Sequence, residues 1–207
     1  MTVAVAATAD QIKKLRELTS AGIMECRRAL DDASGDLDKA MSLLKERGAA
    51  KAAKKESRTA EQGTVMAYVH HGGKLGAIME LNCETDFVPR NEEFVTLAKE
   101  LAMQIAATSP QWISKDEVPA GFLDQQRAEF KQQAVDLGKA DQADTIAAEK
   151  VEQLVAQLVL LEQTYIRDQA LTVGTLITEK VAKFGERIRV KRFTVYKLGE
   201  GKDDSAA

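Results

Sequence analysis

The sequence predicts an α+β protein: a three-helix amino-terminal bundle, then a core in which a small antiparallel β-sheet is packed by helices. Three observations lead to this class. Apolar residues recur at helical spacing along most of the chain. Two short alternating stretches flank Gly72 and Gly73, and a third lies near the carboxyl end. Composition agrees, because ten aromatic residues and three prolines in 207 residues suit helices better than a β-sandwich, and 44% hydrophobic against 29% charged residues excludes general disorder. The 29 Lys and Arg against 32 Asp and Glu leave a formal net charge of -3. No apolar run approaches the ~18 residues of a membrane span, so a soluble protein is expected.

The bundle occupies residues 8 to 48. Thr8 and Gln11 have capping-box spacing ahead of a first helix with the stripe Ile12, Leu15 and Leu18, and Thr19 to Gly22 form the turn that ends it. A second helix carries Ile23, Cys26, Ala29 and Leu30 and stops at Ser34 and Gly35. Asp36 caps a third, with Leu37, Ala40, Met41 and Leu44, which ends at Gly48. About forty residues make a marginal core, so this unit is expected to lean on a partner or on the rest of the chain. Six basic residues follow between Lys45 and Arg58, interleaved with alanines, and read as a helical linker. The run lacks aromatics for base stacking, which favours a solvated connector over a nucleic-acid patch.

Thr64 to His71 and Lys74 to Asn82 are strand candidates, with Gly72 and Gly73 as a two-residue hairpin turn. A polar corner, Cys83 to Asn91, leads to a helix capped by Asn91 that buries Phe94, Leu97, Ala98, Leu101 and Ile105 and closes at Ser109 and Pro110. Two helices are expected near 121 to 137 and 142 to 161, with solvated acidic faces. Val173 to Phe184 reads as the last helix, stopped by Gly185. Ile188, Val190, Arg192, Thr194 and Tyr196 then alternate with Arg189, Lys191, Phe193, Val195 and Lys197 in a strand that completes the sheet. The layout is 1–50 for the bundle, 51–63 for the linker, 64–199 for the core and 200–207 for a flexible tail.

No catalytic signature is present: GxSxG, a phosphate-binding glycine loop and HExxH are all missing. Cys26 and Cys83 lie 57 positions apart without CxxC spacing, and the start MTVAVAATADQ lacks signal-peptide features, so a reducing cytoplasm is expected. His70 and His71 cannot by themselves fill a metal site, and adjacent positions on a strand place one inward and one outward. No catalytic residue, cofactor or metal is assigned. An enzyme built on Cys83, His70 and Glu84 would need those groups within hydrogen-bonding reach. The run from Lys180 to Lys197 has seven basic residues, only Glu186 opposing them, and Phe184, Phe193 and Tyr196 interleaved, which suits either RNA or a half-buried strand with long cations in water. Thr85, Asp86, Phe87 and Val88 at the corner suit a protruding wedge that anchors in a partner's groove. The bland alternative, favoured by residue types alone, packs Phe87 as a staple beneath the following helix, with Asp86 accepting turn hydrogen bonds.

Three stretches carry a resemblance. Leu15-Arg16-Glu17-Leu18-Thr19-Ser20-Ala21-Gly22-Ile23-Met24-Glu25-Cys26-Arg27-Arg28-Ala29-Leu30 resembles the amino-terminal signature of the elongation factor Ts family. His71 to Gly76 with Glu80 to Val88 resembles its core signature, and Gly185 to Phe193 its closing strand. The resemblance implies an exchange factor without covalent chemistry, which binds elongation factor Tu in its GDP form and speeds GDP release. It also implies a ubiquitin-associated-like (UBA-like) amino-terminal domain docking through Leu15, Ile23 and Met24. Thr85, Asp86, Phe87 and Val88 would enter between Tu helices and dislocate the magnesium ion beside GDP. Ser20 and Ile23 stand where the family more often has Gly and Met, and Pro89 where a small residue is usual, so Val88 is expected extended and the wedge stiffer. The chain resembles the short form with one core half, which implies a homodimer, paired at the exposed sheet edge, with two Tu molecules bound. No membrane and no direct nucleic-acid contact are implied. An RNA-binding translation factor using the basic final strand is the alternative.

Overall fold

The computed structural model describes residues 7–19 and 21–200. The amino-terminal start, Ser20 and the tail expected beyond Glu200 lie outside the described residues. The class is α+β, as expected. Helices α1 (Ala9–Thr19), α2 (Ile23–Asp32) and α3 (Leu37–Ala53) form the bundle around buried Leu15, Cys26, Ala29, Leu30 and Ala40. The Thr8 and Gln11 capping box closes reciprocally at 3.0 and 3.3 Å, and the Asp36 side chain accepts from the Lys39 N–H at 3.0 Å.

α3 runs on past Gly48, where the sequence expected it to stop. The alanines that follow favour helix, and a Cβ at Gly48 would lie 3.3 Å from the Ala182 Cβ. The glycine therefore serves close helix packing. Ala52 reaches the main core, so the start of the expected linker, Lys51 to Ala53, is part of a packed helix.

Strands β1 (Gln62–Val69) and β2 (Leu75–Cys83) pair antiparallel, and β2 also pairs with β5 (Arg189–Lys197), giving the order β1-β2-β5. Their connection is longer than the expected two-residue turn. The His70 N–H donates to the Leu75 carbonyl at 2.8 Å and the Gly73 N–H to His70 at 2.9 Å, which leaves a four-residue loop, 71–74, with Gly72 and Gly73 at positive φ. His70 and His71 are both exposed, because the strand ends before them. β5 departs from simple alternation as well. The register shifts between Glu80 and Leu81, opposite Lys191, so Val190 points inward before the bulge and Phe193 and Val195 after it.

α4 (Glu92–Thr108) lies across one face of the sheet and buries Phe94, Leu97, Ala98, Leu101 and Ile105 against Ala77, Met79 and Leu81. Asn91 caps it through the Glu93 N–H at 2.8 Å. α5 (Ala120–Asp136) and α6 (Ala143–Leu158) form a hairpin whose own small core is Val151, Val155 and Val159 with Trp112, Leu123 and Phe130. A short hairpin, β3 (Thr164–Tyr165) with β4 (Asp168–Thr172), was not foreseen. It is pinned to α4 by buried amides: Gln104 Nε2 donates to Gln163 Oε1 at 3.1 Å, and the Ile166 N–H donates to Gln104 Oε1 at 2.9 Å. α7 (Val173–Phe184) packs on α3 and ends at Gly185 with φ 72°. Among the described residues, no helix is long and apolar enough to cross a membrane.

Candidate partner-binding surface

β2 ends at fully buried Cys83, and the chain turns through Glu84 to Phe87 into a short 3-10 turn, Val88–Arg90, before α4 starts. The Cys83 thiol donates to the Thr85 carbonyl at 3.2 Å. Burial pushes this thiol up to about 11, with the negative charge of Glu186 adding to the effect, so it stays protonated and unreactive at neutral pH. His70 lies beyond the opposite end of β2, roughly 25 Å away at ~3.3 Å per strand residue, so the Cys83, His70 and Glu84 set does not assemble.

Two carboxylates cross beneath the corner. Glu186, in the turn between α7 and β5, accepts from the Glu84 N–H at 3.1 Å, the Thr85 N–H at 3.0 Å and the Thr85 hydroxyl at 2.6 Å. Glu84 in return accepts from the Arg187 N–H at 2.6 Å and from Arg58 at 3.2 Å. Burial pushes the Glu84 carboxyl up, but the Arg187 N–H, Arg58 and Lys55 outweigh it and hold the group below the usual carboxylate range. Sequence reading treated Glu186 as the odd acid in a basic run and missed this role. The available signal was its place beside Gly185 in a marked stretch.

On this base the four corner residues separate. Val88 is half-buried and packs on the main core. Thr85 is engaged inward through both amide and hydroxyl. Asp86 is exposed and pairs with Arg90 at 2.8 Å. Phe87 is 74% exposed, which overturns the buried-staple alternative. Val88 lies in the 3-10 turn rather than extended, because Pro89 stands near the start of a turn that needs no N–H from it.

A second apolar surface lies on the bundle. Leu18, Ile23 and Met24 are 59%, 55% and 56% exposed where α1 meets α2. Leu15, expected as a contact residue, is instead fully buried between the three helices, with half-buried Ile12 packed on the same core and only Leu18 of the stripe turned outward. It supports that surface from beneath.

The basic run is largely committed within the fold. Lys183 reaches Glu93 at 2.6 Å, Arg192 reaches Glu80 at 2.8 Å, and Phe184 and Phe193 pack against the core, leaving Tyr196 exposed. A row of aromatics for base stacking does not form.

The family model described as Elongation factor TS matches residues 1–200. A relative from Caldanaerobacter subterraneus subsp. tengcongensis, named elongation factor Ts, is 47% identical over 195 residues, covering 94% of this chain and 98% of its own. Those of the same name from Thermotoga maritima and Carboxydothermus hydrogenoformans are 46% and 43% identical, covering 94% of this chain and 98% and 90% of theirs. The chain belongs to the elongation factor Ts family. Two of the stretches that resemble elongation factor Ts, Glu80 to Val88 and Gly185 to Phe193, meet in space through the Glu84 and Glu186 carboxylates. The third forms α1 and α2 with the exposed Leu18, Ile23 and Met24.

Proposed function

We propose that this chain acts in the cytoplasm as a guanine-nucleotide exchange factor for elongation factor Tu, without covalent chemistry of its own. The bundle docks on the nucleotide-binding domain of Tu through Ile23, Met24 and Leu18. Phe87 enters between Tu helices, while Asp86 brings a carboxylate near the magnesium ion that Tu holds beside GDP. The exposed Asp86–Arg90 pair contributes little in water, about 0–1 kcal/mol, so opening it for the partner is inexpensive. The observation that carries this reading is Phe87, 74% exposed at the tip of a corner whose base is hydrogen-bonded.

Exchange needs only differential binding. A surface that favours nucleotide-free Tu over its GDP complex weakens GDP by the same factor by which GDP weakens the protein pair. Displacing the ion removes a large positive charge from beside the diphosphate, and rebinding of nucleotide restores the cycle. Release of a fluorescent GDP analogue from Tu in stopped flow, with the natural chain and the Phe87→Ala and Asp86→Ala variants, tests the reading. Both variants are expected to slow release at saturation.

A homodimer is part of the same proposal. The sheet face opposite α4 presents Val65, Val69, Ile78 and Tyr196, exposed by 65%, 68%, 47% and 66%. This uncovered face, with its four exposed apolar side chains around the Glu80–Arg192 pair, suits pairing with a second copy better than the strand edge expected from the sequence, and would place two Tu sites in one assembly. A sedimentation mass near one chain at micromolar concentration would exclude it.

A further inference from the structure

A lone exposed aromatic on a flexible corner would lose much of its anchoring energy to the cost of being ordered on docking. The corner here is ordered in advance by a group outside it. Glu186 is half-buried, and three donors converge on its carboxylate from Glu84 and Thr85, residues 101 to 102 positions away in the chain. Thr85 turns both of its donors toward this acceptor, so it anchors the corner and leaves contact with a partner to Asp86 and Phe87. The return bond from the Arg187 N–H to Glu84 makes the connection two-way, and Arg58 ties the segment between α3 and β1 to the same node.

We propose that Glu186 is a positioning residue for nucleotide exchange: by holding Thr85 it keeps Asp86 and Phe87 in the geometry that inserts into Tu. This rests on the reading of Asp86 and Phe87 as the inserted element. Removing the carboxylate lets the corner sample other conformations, and docking must then select the inserting one. The loss falls on the insertion step, while first docking through the bundle is unaffected.

The test uses the full chain and Tu loaded with the fluorescent GDP analogue, titrating Glu186→Ala, Glu186→Gln, Thr85→Val and Phe87→Ala. Glu186→Ala is expected to lower the maximal release rate at least about tenfold, since each hydrogen bond to a charged acceptor is worth roughly that factor. The half-saturating concentration should stay within about twofold, the pattern of a lost interaction in the activated complex. Glu186→Gln keeps one acceptor oxygen and should fall between. Thr85→Val should slow release, and adding it to Glu186→Ala should cost little more, because both remove the same contact. Amide exchange at Glu84 and Thr85 should accelerate in Glu186→Ala with protection in α4 unchanged. If Phe87→Ala slows release and both Glu186→Ala and Thr85→Val match the natural chain, the positioning role is wrong while the insertion reading stands. If Phe87→Ala also matches it, the insertion reading fails and this proposal with it. If Glu186→Ala loses protection throughout the core, Thr85→Val decides, a natural rate overturning the proposal.

Discussion

Replacing Phe87 by alanine isolates the proposed insertion, because a side chain already in water contributes little to the fold. A phenylalanine presents about 200 Å² of surface, so 74% exposure leaves roughly 150 Å² for a partner to cover. Alanine at the same place would keep about a third of this. About 100 Å² of lost apolar burial, at roughly 25 cal/mol per Å², amounts to about 2.5 kcal/mol. If insertion is complete when GDP leaves, the maximal release rate falls about 70-fold; if it is half complete, about eightfold. Thermal unfolding of the variant should coincide with that of the natural chain. Stopped-flow release at saturating Phe87→Ala measures the ratio directly. A maximal rate within twofold of the natural chain, with unfolding unchanged, would falsify the assignment of Phe87 as the inserted anchor.

The bundle offers a contrast between neighbours. Leu15→Ala opens a cavity in a small core and should cost about 2–5 kcal/mol, enough to melt the amino-terminal module in a calorimetric scan, whereas Met24→Ala should leave unfolding within about 0.5 kcal/mol and weaken binding to Tu in a titration. Acid should loosen the base of the corner. Glu84, Glu93 and Glu80 all have carboxyls held below their ordinary value of 4.5: Glu93 chiefly by Lys183, Glu80 chiefly by Arg192, and Glu84 by Arg187 and Arg58 against an opposing burial effect. A depressed folded-state value means that their stabilisation is complete above the unfolded-state value, near 4.5, and disappears as the pH falls through the lower folded-state values. Melting temperature followed from pH 7 downward should therefore hold until about pH 5 and then drop, and Glu84→Gln should show a shallower drop. An equal drop in that variant would remove Glu84 from the account.

Local signals in the sequence were sufficient for most elements. The Thr8 and Gln11 capping box, the Asp36 and Asn91 caps, the apolar face of α4 and the Gly185 stop are short-range devices, settled by a few neighbouring residues, and the structure contains each of them. The two marked stretches around Glu80 to Val88 and Gly185 to Phe193 were also legible, as was the corner as the unusual feature. What tertiary structure alone decided was everything that depends on a distant partner. Gly48 carries the same local signal as a helix stop, and only the crossing of α7 makes it a packing position. Alternation in β5 is correct on each side of Lys191, but the bulge that switches its phase is defined by pairing with β2. The β3–β4 hairpin is too short to leave a periodic pattern and is held by Gln104 and Gln163, whose burial no local rule anticipates. Residue types alone favoured a packed Phe87 and left Leu15 and Leu18 equivalent on one stripe. The fold exposes Phe87 and Leu18 and buries Leu15, because exposure depends on which faces the other helices cover. Glu186 completes the pattern: its charge is visible in the sequence, but its three donors come from residues about a hundred positions away, and only folding brings them together.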